Sequence, residues 1–204
     1  MLKKFASDAL GISDIGKVIK PEDFDKTLSD DFVLHEDGET IHFLIKSKTD
    51  EYCFTNRALI HLDGEKATSS KRVIKRYDYY QHVISDVRVE TAGTIDLDLE
   101  IKFKMGELAF SVDIDKKEGE AITDLYKSLF EISVKQASDK RQFDYAKDSL
   151  ERSQGLIKRS YTKDTALSSE LEKATTFSND WLNEKYDDFT QKDYKDIFMK
   201  YIRN

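Results

Sequence analysis

FTNRALIHLDGEKATSSKRVIKRYDYYQHVISDVRVETAGTIDLDLEIKF, Phe54 to Phe103, decides the fold. From Ile95 on, Ile95, Leu97, Leu99, Ile101 and Phe103 alternate with Asp96, Asp98, Glu100, Lys102 and Lys104. Successive strand residues point to opposite faces, so one face is apolar and the other charged. A one-residue slip would bury acids, which fixes the register. Upstream, Arg72–Tyr80 and Val83–Glu90 read as further strands, with Asp63-Gly64 and Thr91-Ala92-Gly93-Thr94 as turns.

The same texture extends both ways. Asp37-Gly38 turns into a strand over Ile41–Lys46, expected to bury mainly one face. Tyr52, Phe54, Ala58, Ile60 and Leu62 continue the alternation through a break at Asn56-Arg57. After Gly106, Leu108, Phe110, Val112 and Ile114 form a last strand. Asp115 and Glu118 have the spacing of a capping box. The stripe Ile122, Leu125, Tyr126, Leu129, Phe130, Ile132 then predicts a helix able to plug one end of a small barrel. Closing short strands on themselves removes exposed edges. Pro21, the only proline, with Glu22 and Asp23 behind it, starts a short helix. Leu2 to Leu10 is a further helix candidate, expected to pack on protein.

Beyond Gln136 the chain turns highly charged, with Phe143, Ala146, Leu150, Ile157, Leu167 and Leu171 as a thin apolar thread. Ser178-Asn179-Asp180 is expected to cap a final helix carrying Trp181, Leu182, Tyr186, Phe189, Tyr194, Ile197, Phe198, Tyr201 and Ile202. A two-helix hairpin cannot bury that much aromatic surface alone. Trp181, Tyr186, Phe189, Tyr194, Phe198 and Tyr201 are therefore candidates for an oligomer or packing interface.

Composition limits the chemistry. The 204 residues are 36% charged and 39% hydrophobic, with formal net charge −7. That balance argues against nucleic acid as a partner. Cys53 is the only cysteine and the four histidines are scattered, so neither a disulfide nor a zinc site is expected. Cys53 sits in Tyr-Cys-Phe within a strand and reads as a buried thiol. No stretch reaches the roughly 18–20 apolar residues of a membrane span, and the amino terminus lacks a signal-peptide core, so the chain is expected to be cytoplasmic. Asp96, Asp98 and Glu100 are about 6.5–7 Å apart along a strand, too far to share one ion, so they are expected to pair with lysines. No metal, cofactor or catalytic constellation is expected.

The strands and turns quoted resemble the bacterial pleckstrin-homology-like domain family, a domain of unknown function. The resemblance rests on Gly38-Glu39-Thr40-Ile41, on Phe54-Thr55-Asn56-Arg57-Ala58-Leu59-Ile60, and on Val89-Glu90-Thr91-Ala92-Gly93-Thr94-Ile95-Asp96-Leu97-Asp98. Residues 137–204 resemble the YvbH-like helical oligomerisation extension of some members. The resemblance implies an α+β chain in two parts. Residues 1–136 would form a PH-like seven-stranded antiparallel barrel or sandwich capped by a helix, and 137–204 a helical hairpin. It also implies homo-oligomeric rings, often five-fold; combined with the aromatic surplus after Trp181, it leads to the expectation of a non-enzymatic interaction module. The alternative is a membrane-associated module binding anionic lipid headgroups through Lys71, Arg72, Lys75 and Arg76. Alternation splits that cluster between two faces, so a solvated strand face or a salt-bridged subunit contact is the preferred reading of it.

Overall fold

Among the described residues, seven strands of five to eight residues and one of two residues build two antiparallel sheets. A computed structural model describes residues 15–64, 72–91, 98–160 and 167–202. The expected helix at Leu2–Leu10, the hairpin tip with its alternating Ile95–Leu97, and Lys71 lie outside these residues.

The first sheet runs β1 (Lys17–Val18), β2 (Ile41–Lys46), β3 (Glu51–Thr55), β4 (Ala58–Asp63), β5 (Val73–Asp78) in spatial order. The second runs β6 (Ile84–Thr91), β7 (Leu99–Met105), β8 (Leu108–Ile114). Gly106, at φ 59°, makes the tight link between β7 and β8, a backbone state that favours glycine.

Each face of the first sheet has its own core. Phe43, Ile45, Phe54 and Leu59 join Ile101, Phe103, Met105, Val112 and Ile114 of the second sheet in the main cluster. Leu44, Cys53, Ile60 and Leu62 point the other way and pack with Ile19 and Val33. The expectation that β2 buries mainly one face is thus corrected. Two 3-10 turns, Pro21–Lys26 and Ser29–Phe32, cover the outer face through Phe24 of the first and Leu28 between the two. Each fully buried aliphatic side chain is worth about 1.5–3 kcal/mol, so this second layer contributes as a core does.

Gly16 stitches the two sheets at one corner. Its N–H donates to the Asp113 carbonyl (2.8 Å), and its own carbonyl accepts from Asp115 N (3.1 Å). A Cβ there would lie 2.7 Å from Ile45 Cγ2, so only glycine permits the approach. This also corrects the capping box: the Asp115 amide is taken by Gly16, while its carboxylate accepts from Lys117 N.

Helix α1 spans Gly119–Ser160, 42 residues or about 63 Å. Ile122, Leu125, Leu129 and Ile132 are fully buried in the main core, at the spacing the sequence predicts. Helix α2 (Leu167–Asp188) touches α1 at Phe143–Tyr186 (5.8 Å between rings) and Gln154–Ser178 (3.0 Å), so the two run in opposite directions. Helix α3 spans Lys195–Tyr201.

The expected single final helix is therefore two. Ser178 is not a cap but lies inside α2, its hydroxyl donating to the Ala174 carbonyl. Between α2 and α3 the chain leaves helical geometry: Tyr194 N donates to Asn56 O (2.8 Å), and Asn56 Nδ2 donates to Asp193 (2.6 Å). The described residues up to Ser133, together with those from Lys192 on, form one compact unit, and those between Val134 and Gln191 form the other.

Candidate functional site

The cationic strand positions do not converge on one point. Cross-strand register places Lys75 opposite His61 and Arg76 opposite Ile60, so the two side chains leave opposite faces of β5. Arg76 donates from Nη1 to Glu39 (2.9 Å) and from Nε to Asp78 (2.9 Å). Glu39 is buried and also accepts from the Leu34 amide (2.9 Å) and the Thr55 hydroxyl. Burial alone would push Glu39 up, but the hydrogen bonds from Arg76, Thr55 and Leu34 outweigh it and hold the carboxyl below its ordinary range. Lys75 pairs with Asp63 (2.9 Å). The Arg72 guanidinium lies against Gly64, where an added Cβ would meet it at 3.1 Å.

A further buried pair escapes composition-level reading. Lys46 and Glu51 are cross-strand partners in β2–β3, and their side chains pair out of water. Glu51 also accepts from Ser29 N (2.9 Å), which anchors the 3-10 layer. The register itself is the signal: a lysine ends one strand and a glutamate opens the next.

On the outer face of the second sheet the charges form a ladder. Arg88 pairs with Asp86 (3.0 Å) and Glu90 (2.8 Å), and Lys102 with Glu90 (2.6 Å) and Glu100 (2.8 Å). Asp86 has φ 56° at the bulge in β6, a left-handed state that aspartate tolerates better than most residues. Among the described residues no three His, Cys, Asp or Glu side chains are grouped to hold a metal.

The six aromatic candidates divide. Tyr194 and Phe198 are buried in the main core, and Tyr201 packs at its margin with its hydroxyl donating to Glu131. Phe198 stacks on His42 (5.2 Å, 6° between planes), and Tyr194 meets Tyr79 edge-on. Burial lowers the His42 pKa, Lys195 adds to that, and Asp193 opposes it. Trp181 and Phe189 are half-buried in the second unit, and Tyr186 is exposed apart from its contact with Phe143. Burial pushes the Cys53 thiol up, which keeps it protonated.

One surface was not singled out in the sequence. Val87, Arg88 and Val89 of β6 face Thr123 and Tyr126 of α1 across a cavity of about 290 Å³. Phe130, 51% exposed and stacked on Tyr126 (6.1 Å), lies one turn further along α1. Its signal was the excess width of the apolar stripe: Tyr126 and Phe130 sit about 80–120° around the helix from the Ile122–Leu125–Leu129–Ile132 row. No helix among the described residues is long and apolar enough to cross a membrane.

Comparison with known proteins agrees with this architecture. The bacterial PH domain family model matches residues 9–133, and the YvbH-like oligomerisation region matches 144–204. The uncharacterized protein YvbH of Bacillus subtilis (strain 168) is 48% identical over 204 residues, the full length of both chains. The uncharacterized protein YozO of the same strain is 31% identical over 90 residues, 42% of this chain and 76% of that protein. A crystal structure of a PH-domain-containing bacterial protein from Exiguobacterium sibiricum 255-15 is 48% identical. It superimposes with a TM-score of 0.83, covering 93% of this chain and all of that one. Sheets, helix and sequence together make this chain a member of the bacterial PH domain family.

Proposed function

We propose that the chain is a non-catalytic interaction scaffold that assembles with copies of itself into a closed ring. In this reading the two sheets act as a seven-stranded PH barrel, and α1 with α2 as a helical hairpin that mediates assembly. One observation carries it. The region matching the oligomerisation family holds Tyr145, Leu171 and Phe177 more than half exposed. Large apolar side chains left in water mark an interaction surface. Ring closure needs head-to-tail contacts between two different patches of each subunit.

Native mass spectrometry and light scattering at micromolar concentration test the proposal. The expected result is one multi-subunit species, whose mass also gives the subunit number. Leu171→Asp with Phe177→Asp should shift the chain to smaller species at unchanged helix content. Phe198 is unsuited to this test because it is core. A single-chain mass for the unaltered protein refutes the reading. Should that single chain co-sediment with anionic vesicles, the headgroup reading built on Lys71, Arg72, Lys75 and Arg76 replaces it.

A further inference from the structure

We propose that the cavity walled by β2, the first 3-10 turn, the start of α1 and the end of the described chain is a binding site for a small organic amine, with the apolar body inside and the ammonium against His42 and Asp124. The site is built from one chain, so it does not depend on the self-assembly reading.

The walls are apolar and the space is large enough for a ligand. Val18, Phe24, Phe43 and Ile202 border a cavity of about 320 Å³. Small-molecule pockets begin at about 300 Å³, so this one suits a body of one ring or a short alkyl chain. Ala121 of α1 lines it too, and its small side chain leaves the space open.

One polar group in the wall is incompletely satisfied. His42 is only 8% exposed and borders the cavity. Its Nε2 lies 3.3 Å from Thr40 Oγ1, beyond the usual hydrogen-bond range. Its Nδ1 has no hydrogen-bond partner among the described residues. Buried polar groups are normally paired, so an occupant that supplies a partner gains what the protein leaves unmade. With Nε2–H directed at Thr40, Nδ1 keeps its lone pair and accepts. Burial lowers the His42 pKa and keeps the ring neutral at neutral pH, with Lys195 adding to this and Asp193 opposing it. A neutral ring accepts from an ammonium without repelling it.

Charge selects the donor. Among the described residues bordering the cavity, the carboxylates Glu22 and Asp124 face one cation, Lys20. Asp124 accepts from Lys127 through Oδ1 (3.0 Å), and its Oδ2 has no partner among the described residues. An ammonium carries three donors, enough for Nδ1 and a carboxylate together. An anionic ligand would meet Glu22 and Asp124 as like charges and bring no donor to Nδ1.

Two probes that differ only at the head test this on the full chain: phenethylamine and hydrocinnamate. The readout is the His42 imidazole signals in NMR, assigned by their loss in His42→Phe. The amine should shift those signals saturably at millimolar concentration and bind about ten-fold or more tightly than the carboxylate. Asp124→Asn should weaken the amine about three-fold or more and leave the carboxylate no weaker. Ala121→Leu fills the cavity and should abolish the amine's effect at unchanged helix content. A carboxylate that binds as tightly as the amine overturns the inference. Amine binding untouched in both variants overturns it as well, because the amine then sits elsewhere on an acidic chain. If Ala121→Leu unfolds, Asp124→Asn alone decides. No saturable shift from either probe removes the site and leaves self-assembly standing.

Discussion

Replacing Phe198 with alanine tests whether the end of the chain is core of the first unit. Phe198 is fully buried, stacks on His42 at 5.2 Å and meets Tyr79 at 6.2 Å. Truncating such a ring removes its transfer free energy and leaves a cavity, about 3–5 kcal/mol in all. For a chain of this size each kcal/mol lowers the midpoint by about 2–4 °C, so the expected drop is roughly 6–20 °C. Val134→Ala is the control. Val134 is 53% exposed, and its truncation should stay within about 0.5 kcal/mol. The assay is thermal unfolding by far-ultraviolet circular dichroism at one fixed protein concentration, because assembly moves the midpoint by mass action. A Phe198→Ala midpoint within about 2 °C of the parent refutes the placement of α3 in the core.

Two further perturbations probe buried titrating groups. His42 has its folded pKa below the ordinary 6.5, so the unfolded chain takes up the proton first and stability is lost as pH falls below about 6.5. His42→Phe keeps the stack on Phe198 and removes the titration, so denaturant midpoints should become flatter between about pH 5 and 7; an unchanged slope counts against His42 as its source. Glu39 has a lowered pKa, so its contribution is present above about pH 4.5 and is lost on acidification through the folded value. Glu39→Gln should cost about 3 kcal/mol near neutral pH by leaving Arg76 with Asp78 alone, and a loss below about 1 kcal/mol in urea titration would show that Arg76 finds another partner.

The strands were legible because alternation is a local property. The expected strand at Ile41–Lys46 coincides with β2, and the Asp37-Gly38 turn falls where Gly38 adopts φ 77°. Alternation reports which residues share a face, not what covers that face. Leu44 reads as an outward residue between His42 and Lys46, yet it is fully buried beneath the 3-10 layer. Lys46 reads as a solvated charge, yet Glu51 neutralises it out of water. The cover over Leu44 comes from Ile19 and Val33, 25 and 11 residues upstream, and the partner of Lys46 is set by the β2–β3 register, which alternation within β2 does not report. The basic cluster shows the same limit. Its split between faces was visible in the sequence, but Glu39, which holds Arg76, lies 37 positions upstream.

The carboxyl-terminal aromatics pose a harder problem, and its resolution narrows where assembly can occur. Tyr186, Phe189, Tyr194, Phe198 and Tyr201 follow one another at intervals of three to five, close to helical period throughout. No glycine or proline interrupts them. The break at residues 189–194 is set by Asn56, whose carbonyl and amide engage Tyr194 and Asp193 from another part of the chain. The family match to an oligomerisation region continues to residue 204, across this break. Tyr194 and Phe198, however, are already enclosed by the first unit's core. A buried ring cannot also face a neighbour, so Tyr194 and Phe198 offer no contact to another copy. Described residues of the matched region still offering apolar area are Tyr145, Leu171, Phe177, Tyr186 and Met199. On this argument α3 stabilises the first unit through Ile197 and Phe198, so removing it should cost folding.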